Sequence, residues 1–151
     1  MPEQTTQRIT IDASPQRVFD VIVDVARYPE WAGDVKQVDI QQAEDSGRPG
    51  LVAFRAAAMG RSVSYVLRYY YGTSPLRVAW RLVEGDVVSR MDGEYLLEPT
   101  YGNVNSTEVT YHLSVDMRMP IPGFMRRRGE ARIVRAALQG LKSRAESPVA
   151  G

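Results

Sequence analysis

The amino-acid sequence predicts an α+β fold in which a seven-stranded antiparallel sheet is covered on one face by a long C-terminal helix. Two observations carry this prediction. Apolar and polar residues alternate through most of residues 34–117, and an amphipathic helical pattern occupies residues 121–146. A period of two is typical of strands that bury one face, whereas spacings of three and four are typical of a helix with one apolar stripe. We expect a single domain, residues 1–151.

One strand and two short helices are predicted at the N-terminal end. Ile9 and Ile11 alternate with polar neighbours and indicate the strand. A helix is expected to start at Ser14-Pro15, because a serine side chain accepts from a free backbone N–H and proline lacks an N–H to satisfy. Pro29 disfavours helical geometry at the residue before it, so the first helix should end before Pro29. One further helical turn should follow.

Six more strands are predicted between this turn and the C-terminal helix. The segments that separate them are EDSGRPG, Gly60-Arg61, GTSP, Gly85-Asp86 and PTYGNVNS. These connections are too short for the crossovers that parallel strands need, so neighbouring strands should be antiparallel. The clearest alternation is in the last strand, where one face carries Thr107, Val109, Tyr111, Leu113, Val115 and Met117.

The C-terminal helix has one apolar stripe, made by Ala131, Val134, Leu138, Leu141 and Ala145. A helix with one such stripe must lie on the sheet. A long, twisted sheet curls around the helix without closing on it, which leaves a groove between the two. Gly140 interrupts the helical pattern. Either the site tolerates glycine without consequence, or glycine lets a ligand or a strand approach the helix backbone.

Composition excludes several classes of function. The net charge is +1, which is far from the basic excess of a nucleic-acid binder. There is no cysteine and one histidine, so disulfides, thiol nucleophiles and histidine–cysteine metal sites are not expected. No apolar run is long enough to span a bilayer, and the N-terminal residues are polar. We therefore expect a cytoplasmic monomer or weak dimer without cofactor, metal, nucleic-acid partner or membrane contact.

His112 is a poor candidate for catalysis. The alternation of the last strand places it opposite Tyr111 and Leu113, on the polar face of the sheet. A histidine there would point away from the groove, so a nucleophilic triad is not expected.

Amphipathic side chains are concentrated on the strand faces predicted to line the groove. Tyrosine offers a large apolar ring and a hydroxyl that needs a partner when buried, and methionine offers an adaptable wall. These residues either pack as ordinary core or line a cavity for a mostly apolar ligand. The predicted lining is Arg55, Tyr65, Tyr69, Trp80, Met91, Tyr95, Tyr111, Leu113, Val134 and Leu138, with Tyr28 and Trp31 at the entrance.

The sequence does not determine which face of the sheet Arg55 occupies, because its strand, LVAFRAAAM, has apolar residues at both alternating sets of positions. An inward Arg55 would bind a carboxylate, phosphate or enolate oxygen, whereas an outward Arg55 would be a solvated charge. A cavity that binds a ligand should reach about 300 Å³ or more.

Three stretches of the chain resemble the START-like (SRPBCC) superfamily, in its polyketide cyclase/dehydrase-like branch. They are SPQRVFDVIVDVARYPEWAGDVKQVDI at 14–40, DGEYLLEPTYGNVNSTEVTYHLSVDM at 92–117 and IPGFMRRRGEARIVRAALQGLKSRAE at 121–146. The resemblance implies a helix-grip fold, in which the long helix crosses the concave face of a curved sheet. It also implies a cavity between sheet and helix for a lipid, polyketide or similar hydrophobic molecule.

Three functions follow from these observations. The first is binding of a hydrophobic small molecule, lipid or polyketide-like, without turnover. The second is acid–base catalysis of the polyketide cyclase/dehydrase type, in which a tyrosine or Arg55 holds an enolate oxygen; no inward carboxylate or histidine is visible as the base. The third is a non-catalytic, chaperone-like interaction, for which Arg126, Arg127 and Arg128 could contact an anionic partner or surface. The sequence does not identify the ligand.

Overall fold

The structure is a computed structural model that describes residues 4–58 and 60–147. The ends of the predicted domain therefore lie outside the described residues. The elements are β1 (Thr5–Ile11), α1 (Pro15–Val23), α2 (Tyr28–Trp31), β2 (Val35–Ala43), β3 (Pro49–Ala58), β4 (Arg61–Thr73), β5 (Leu76–Gly85), β6 (Val88–Thr100), β7 (Asn103–Met117) and α3 (Gly123–Glu146), with a 3₁₀ turn (Val25–Arg27) before α2.

The seven strands form one antiparallel sheet in the order β1-β7-β6-β5-β4-β3-β2. The sheet is curved, and the helices lie on its concave face, so the predicted helix-grip arrangement is confirmed. None of the helices within the described residues is long and apolar enough to cross a membrane.

The start of α1 forms as predicted. Ser14 is the N-cap, its side-chain oxygen accepts from the backbone N–H of Arg17 at 3.2 Å, and Pro15 occupies the first helical position. The expectation that Pro29 forces Tyr28 out of helical geometry is wrong. Tyr28 has φ −53° and ψ −39° and begins α2. The chain departs from helical geometry at Asp24, where ψ is 67°.

The concave face is filled by the inward side chains of the central strands. Trp80 of β5 is buried and lies directly opposite Gly93 of β6. A Cβ atom at Gly93 would lie 2.7 Å from Cζ2 of Trp80 and 2.7 Å from the carbonyl oxygen of His112. Glycine is therefore required at this position, because it lets the indole ring lie across the β6 backbone.

Gly140 has the same role between α2 and α3. A Cβ atom at Gly140 would lie 2.4 Å from the carbonyl oxygen of Trp31 and 3.3 Å from Cε3 of its ring. The group that approaches the helix backbone is thus the short helix α2, and the glycine brings Trp31 close to α3. The sequence left two explanations for Gly140 open: a site that tolerates glycine, or a close approach to the helix backbone by a ligand or a strand. The structure supports a close approach, and the approaching group is the helix α2.

Glu130 is a fully buried carboxylate on the sheet-facing side of α3, and the sequence patterns did not single it out. It accepts hydrogen bonds from the Thr5 hydroxyl at 2.8 Å and from the Val115 backbone N–H at 2.7 Å, and Arg126 lies 3.5 Å away. The carboxylate joins α3 to β1 and β7. Buried charges are tolerated when they are paired and hydrogen-bonded in this way.

Candidate functional site

A cavity of about 120 Å³ lies between the concave face of the sheet, α3 and the segment from α2 to β2. Eight aromatic side chains line it: Tyr28, Trp31, Phe54, Tyr65, Tyr69, Trp80, Tyr95 and Tyr111. The remaining lining residues are Ala32, Gly33, Asp34, Val35, Ala56, Ala57, Leu67, Met91, Ile133, Ala136 and Ala137. This volume is below the value of about 300 Å³ or more expected of a ligand-binding cavity, because the aromatic rings extend into the space.

The aromatic rings form a continuous wall. The Phe54 ring stacks on Tyr65 with centroids 5.5 Å apart, and the Tyr28 ring meets Trp31 edge-on at 5.0 Å. Offset and edge-to-face arrangements at such distances are favourable contacts between aromatic quadrupoles. The wall is therefore fixed by ring–ring packing and presents ring faces and edges to a ligand.

The hydroxyl groups deep in the cavity lie close to one another, and one of them bonds to the backbone. Tyr28 donates to the carbonyl oxygen of Ile22 at 2.5 Å, and its hydroxyl lies near that of Tyr69. The hydroxyls of Tyr95 and Tyr111 lie near each other. Burial raises the pKa of all four tyrosines well above the ordinary value, so they are neutral at physiological pH.

The mouth of the cavity has a different polarity. Asp34, in the turn between α2 and β2, is the only charged residue in the lining of the cavity as the structure describes it. Its backbone carbonyl accepts a hydrogen bond from the Ala57 N–H at 2.8 Å, which fixes the turn against β3. Burial raises the pKa of the Tyr65 hydroxyl, and the negative charge of Asp34 raises it further. An exposed carboxylate and a buried, protonated phenol therefore lie near each other.

Eight residues of the predicted site line the cavity. They are Tyr65, Tyr69, Trp80, Met91, Tyr95 and Tyr111 of the predicted lining, and Tyr28 and Trp31 of the predicted entrance. Their role in ligand binding stays a prediction. Leu113, Val134 and Leu138 are buried in the core but do not line the cavity.

Arg55 does not line the cavity, and its place in the predicted lining is wrong. Its side chain is exposed, and its neighbours in register are Gln37 of β2 and Ser64 of β4. Phe54 and Ala56 on either side of it are buried. Alternation along β3 therefore directs Arg55 to the convex face.

The sequence interpretation missed Asp34, Phe54 and the α3 residues of the lining. Phe54 was hidden because β3 is apolar at both parities, and only its pairing with Tyr65 across the β3–β4 hairpin reveals which face it occupies. Ile133, Ala136 and Ala137 lie on the flank of the helical stripe, where small residues leave room between helix and sheet. Asp34 follows a glycine in a turn, and no local pattern distinguishes it from a solvated carboxylate.

His112 lies on the convex face, as the strand alternation predicts. Its Nδ1 is 2.7 Å from the Thr6 hydroxyl oxygen, and its Nε2 is 3.9 Å from a carboxylate oxygen of Glu94. It therefore takes no part in the cavity. No cluster of three or more potential metal ligands was found among the described residues.

The arginine triplet lies near the start of α3. Arg126 is 3.5 Å from a carboxylate oxygen of Asp116 and contacts Glu130, so it belongs to the core-side charge network. Arg127 and Arg128 are exposed. Phe124 on the same turn of the helix is 60% exposed.

Comparison with known proteins identifies the family. A family model described as polyketide cyclase / dehydrase and lipid transport matches residues 2–146. The search of curated protein sequences gave no match.

Three solved structures illustrate the likeness of fold. A START superfamily protein from Mycobacterium smegmatis has a TM-score of 0.87 at 21% identity, with 95% of this chain and 97% of that chain covered. The Zhui aromatase/cyclase from Streptomyces sp. R1128 has a TM-score of 0.82 at 18% identity, with 97% and 94% covered. A protein from Thermus thermophilus has a TM-score of 0.78 at 22% identity, with 95% and 97% covered.

The TM-scores establish the shared fold, and the match of the family model over nearly the whole chain establishes the family. The chain belongs to the polyketide cyclase/dehydrase and lipid transport family, and its fold is START-like.

Proposed function

We propose that this protein binds an apolar, ring-containing small molecule in the cavity between the sheet and α3. The observation that carries the proposal is the aromatic lining, with eight rings around a space that is also lined by the exposed Asp34. Cavities of this kind bind ligands mainly by apolar and aromatic contact, and a few polar groups fix the orientation. The family model, which includes lipid transport, supports the same class of function.

In this conformation of the protein, the volume of the cavity limits the size of the ligand. A volume of about 120 Å³ is close to that of cavities that admit a single benzene ring. A larger lipid or polyketide would require Trp31 and α2 to move away from α3. Trp31 is only partly buried, whereas Trp80 at the base of the cavity is 6% exposed. The residues at the mouth are therefore the ones that can move to admit a larger ligand.

Intrinsic fluorescence provides a direct assay, because the chain has two tryptophans and both line the cavity. A neutral single-ring ligand, 2-phenylethanol, should change the emission on titration and saturate. Ala56→Leu should weaken this binding at least tenfold, because Ala56 lines the cavity and the larger side chain occupies it. Ala53→Leu is the matched control, because Ala53 lies on the same strand with the opposite parity and is absent from the lining. Equal binding by both variants would contradict the proposal.

Acid–base catalysis on a polyketide-like carbonyl compound is the second candidate. The proximity of Asp34 to Tyr65 favours it, because a protonated phenol can hold an enolate oxygen while a carboxylate moves the proton. The test is incubation with poly-β-ketone substrates, in which the wild-type product distribution should differ from the buffer control. Asp34→Asn and Tyr65→Phe should return it to the control. A wild-type distribution that matches buffer would eliminate the catalytic candidate and leave the binding proposal untouched.

A further inference from the structure

We infer that the ligand of this cavity is an aromatic amine, with its ring among the deep aromatic side chains and its protonated amine at the mouth beside Asp34. This inference rests on the proposed binding function and specifies its ligand class. Three features of the cavity carry it: the sign of its charge, the distribution of its polar groups and its size.

The lining carries one negative charge and no positive charge. Asp34 is an acid, and neither arginine nor lysine lines the cavity in the part of the chain that the structure describes. Arg55, the cation predicted for the lining, lies on the convex face. A ligand carboxylate would meet Asp34 without a compensating cation, whereas an ammonium group would gain an opposite charge. The cavity therefore disfavours an anionic ligand.

The polar groups are arranged so that a ligand should be polar at one end only. The deep hydroxyls of Tyr28, Tyr69, Tyr95 and Tyr111 are neutral and lie in two close pairs among aromatic rings. This uncharged, ring-lined part of the cavity is suited to the ring of a ligand. Asp34 is exposed and lines the cavity, so it is the charged group that a ligand meets from solvent.

The aromatic lining also favours a cation over a neutral group at the mouth. Trp31, which is partly buried, lies there, and its ring meets the deeper Tyr28 ring edge-on with centroids 5.0 Å apart. The faces of such rings attract an ammonium group, and indole is the strongest of the natural side chains in this respect. A carboxylate and an aromatic ring that line one cavity both attract an ammonium group. The volume of about 120 Å³ holds one ring and a short side chain.

Three ligands that share a phenylethyl group and differ in the charge of the polar end separate charge from apolar contact. They are 2-phenylethylamine as the cation, 2-phenylethanol as the neutral form and 3-phenylpropanoate as the anion, titrated against the purified chain by fluorescence at pH 7. The amine should bind about tenfold more tightly than the alcohol, since one partly exposed charge pair and one cation–π contact act together. The propanoate should bind more weakly than the alcohol.

Asp34→Asn should remove most of the preference for the amine over the alcohol. Asp45→Asn, in the exposed turn between β2 and β3, is the matched control and should leave all three affinities unchanged. Binding of the alcohol with no preference for the amine, or a preference that persists in Asp34→Asn, would overturn this inference while the proposed function stands. Failure of all three ligands to bind would overturn both.

Discussion

Replacing Gly140 by alanine tests the contact that shapes the cavity mouth. In an exposed helix interior this substitution stabilises a protein by about 1 kcal/mol, because alanine is the better helix former. Here the new Cβ atom would lie 2.4 Å from the carbonyl oxygen of Trp31. Ordinary contact begins at about 3.4 Å, so α2 and α3 must separate by roughly 1 Å. Overpacking of this kind costs about 1–3 kcal/mol.

We therefore expect Gly140→Ala to lower the free energy of unfolding by about 0–2 kcal/mol after the gain in helix propensity is included. For a chain of this size each 1 kcal/mol corresponds to roughly 2–4 °C in Tm. Urea and thermal unfolding measure the change. The emission of Trp31 should shift to longer wavelength as α2 moves away from α3.

Gly33→Ala is the matched control for this experiment. Gly33 lies in the same segment as Trp31, and a Cβ atom there would have nothing within 4 Å. Alanine at this position should be neutral or stabilising by a few tenths of a kcal/mol, because it reduces the freedom of the unfolded chain. If Gly140→Ala proved more stable than the wild type by the helix-propensity amount, the close approach of Trp31 to α3 would be refuted.

Three further predictions concern residues that pack around the cavity. Glu130→Ala should destabilise the protein by about 3 kcal/mol in urea unfolding, because it leaves the buried Val115 N–H without an acceptor. Glu130→Gln keeps an acceptor and should lose less stability, and equal losses in the two variants would contradict the role of Glu130 as the acceptor for Val115. Gly93→Ala should cost about 1–3 kcal/mol and shift the emission of Trp80, and unchanged stability and emission would contradict the packing at β6. The five buried tyrosines of the cavity have folded-state pKa values raised above the unfolded value of about 10. Their contribution is therefore complete below pH 10 and lost as the pH rises through the folded values. Absorbance at 295 nm should show these tyrosines ionising together with unfolding, and their ionisation in the folded protein would contradict their burial.

The strand alternation of β7 illustrates what the sequence could predict. Val109, Tyr111, Leu113 and Val115 are all buried, and the polar residues between them include His112 on the convex face. The prediction succeeded because apolar and polar residues alternate along this strand, so each residue type indicates whether its side chain faces the core or the convex face. The helical stripe of α3 was predicted for the same reason, and Val134, Leu138 and Leu141 are buried as expected.

Features that depend on contacts distant in sequence could not be predicted. The face of β3 is set by the pairing of Phe54 with Tyr65, since alanines on both faces give no local signal. The approach of Trp31 to Gly140 joins two helices from opposite ends of the chain. The volume of the cavity depends on how far the rings extend into it, which the sequence does not encode in any local pattern. Asp34 acquires its importance only from its position at the mouth.

The position of a bound ring is the most direct test of the proposed function. Crystals grown with 4-bromophenol, a neutral single-ring compound at pH 7, would locate the ligand by the anomalous scattering of bromine. The proposal predicts a bromine peak inside the cavity, within contact distance of Trp80, Tyr111 or Ile133. Peaks confined to the convex face, for example near Arg55, with the cavity unchanged, would contradict it.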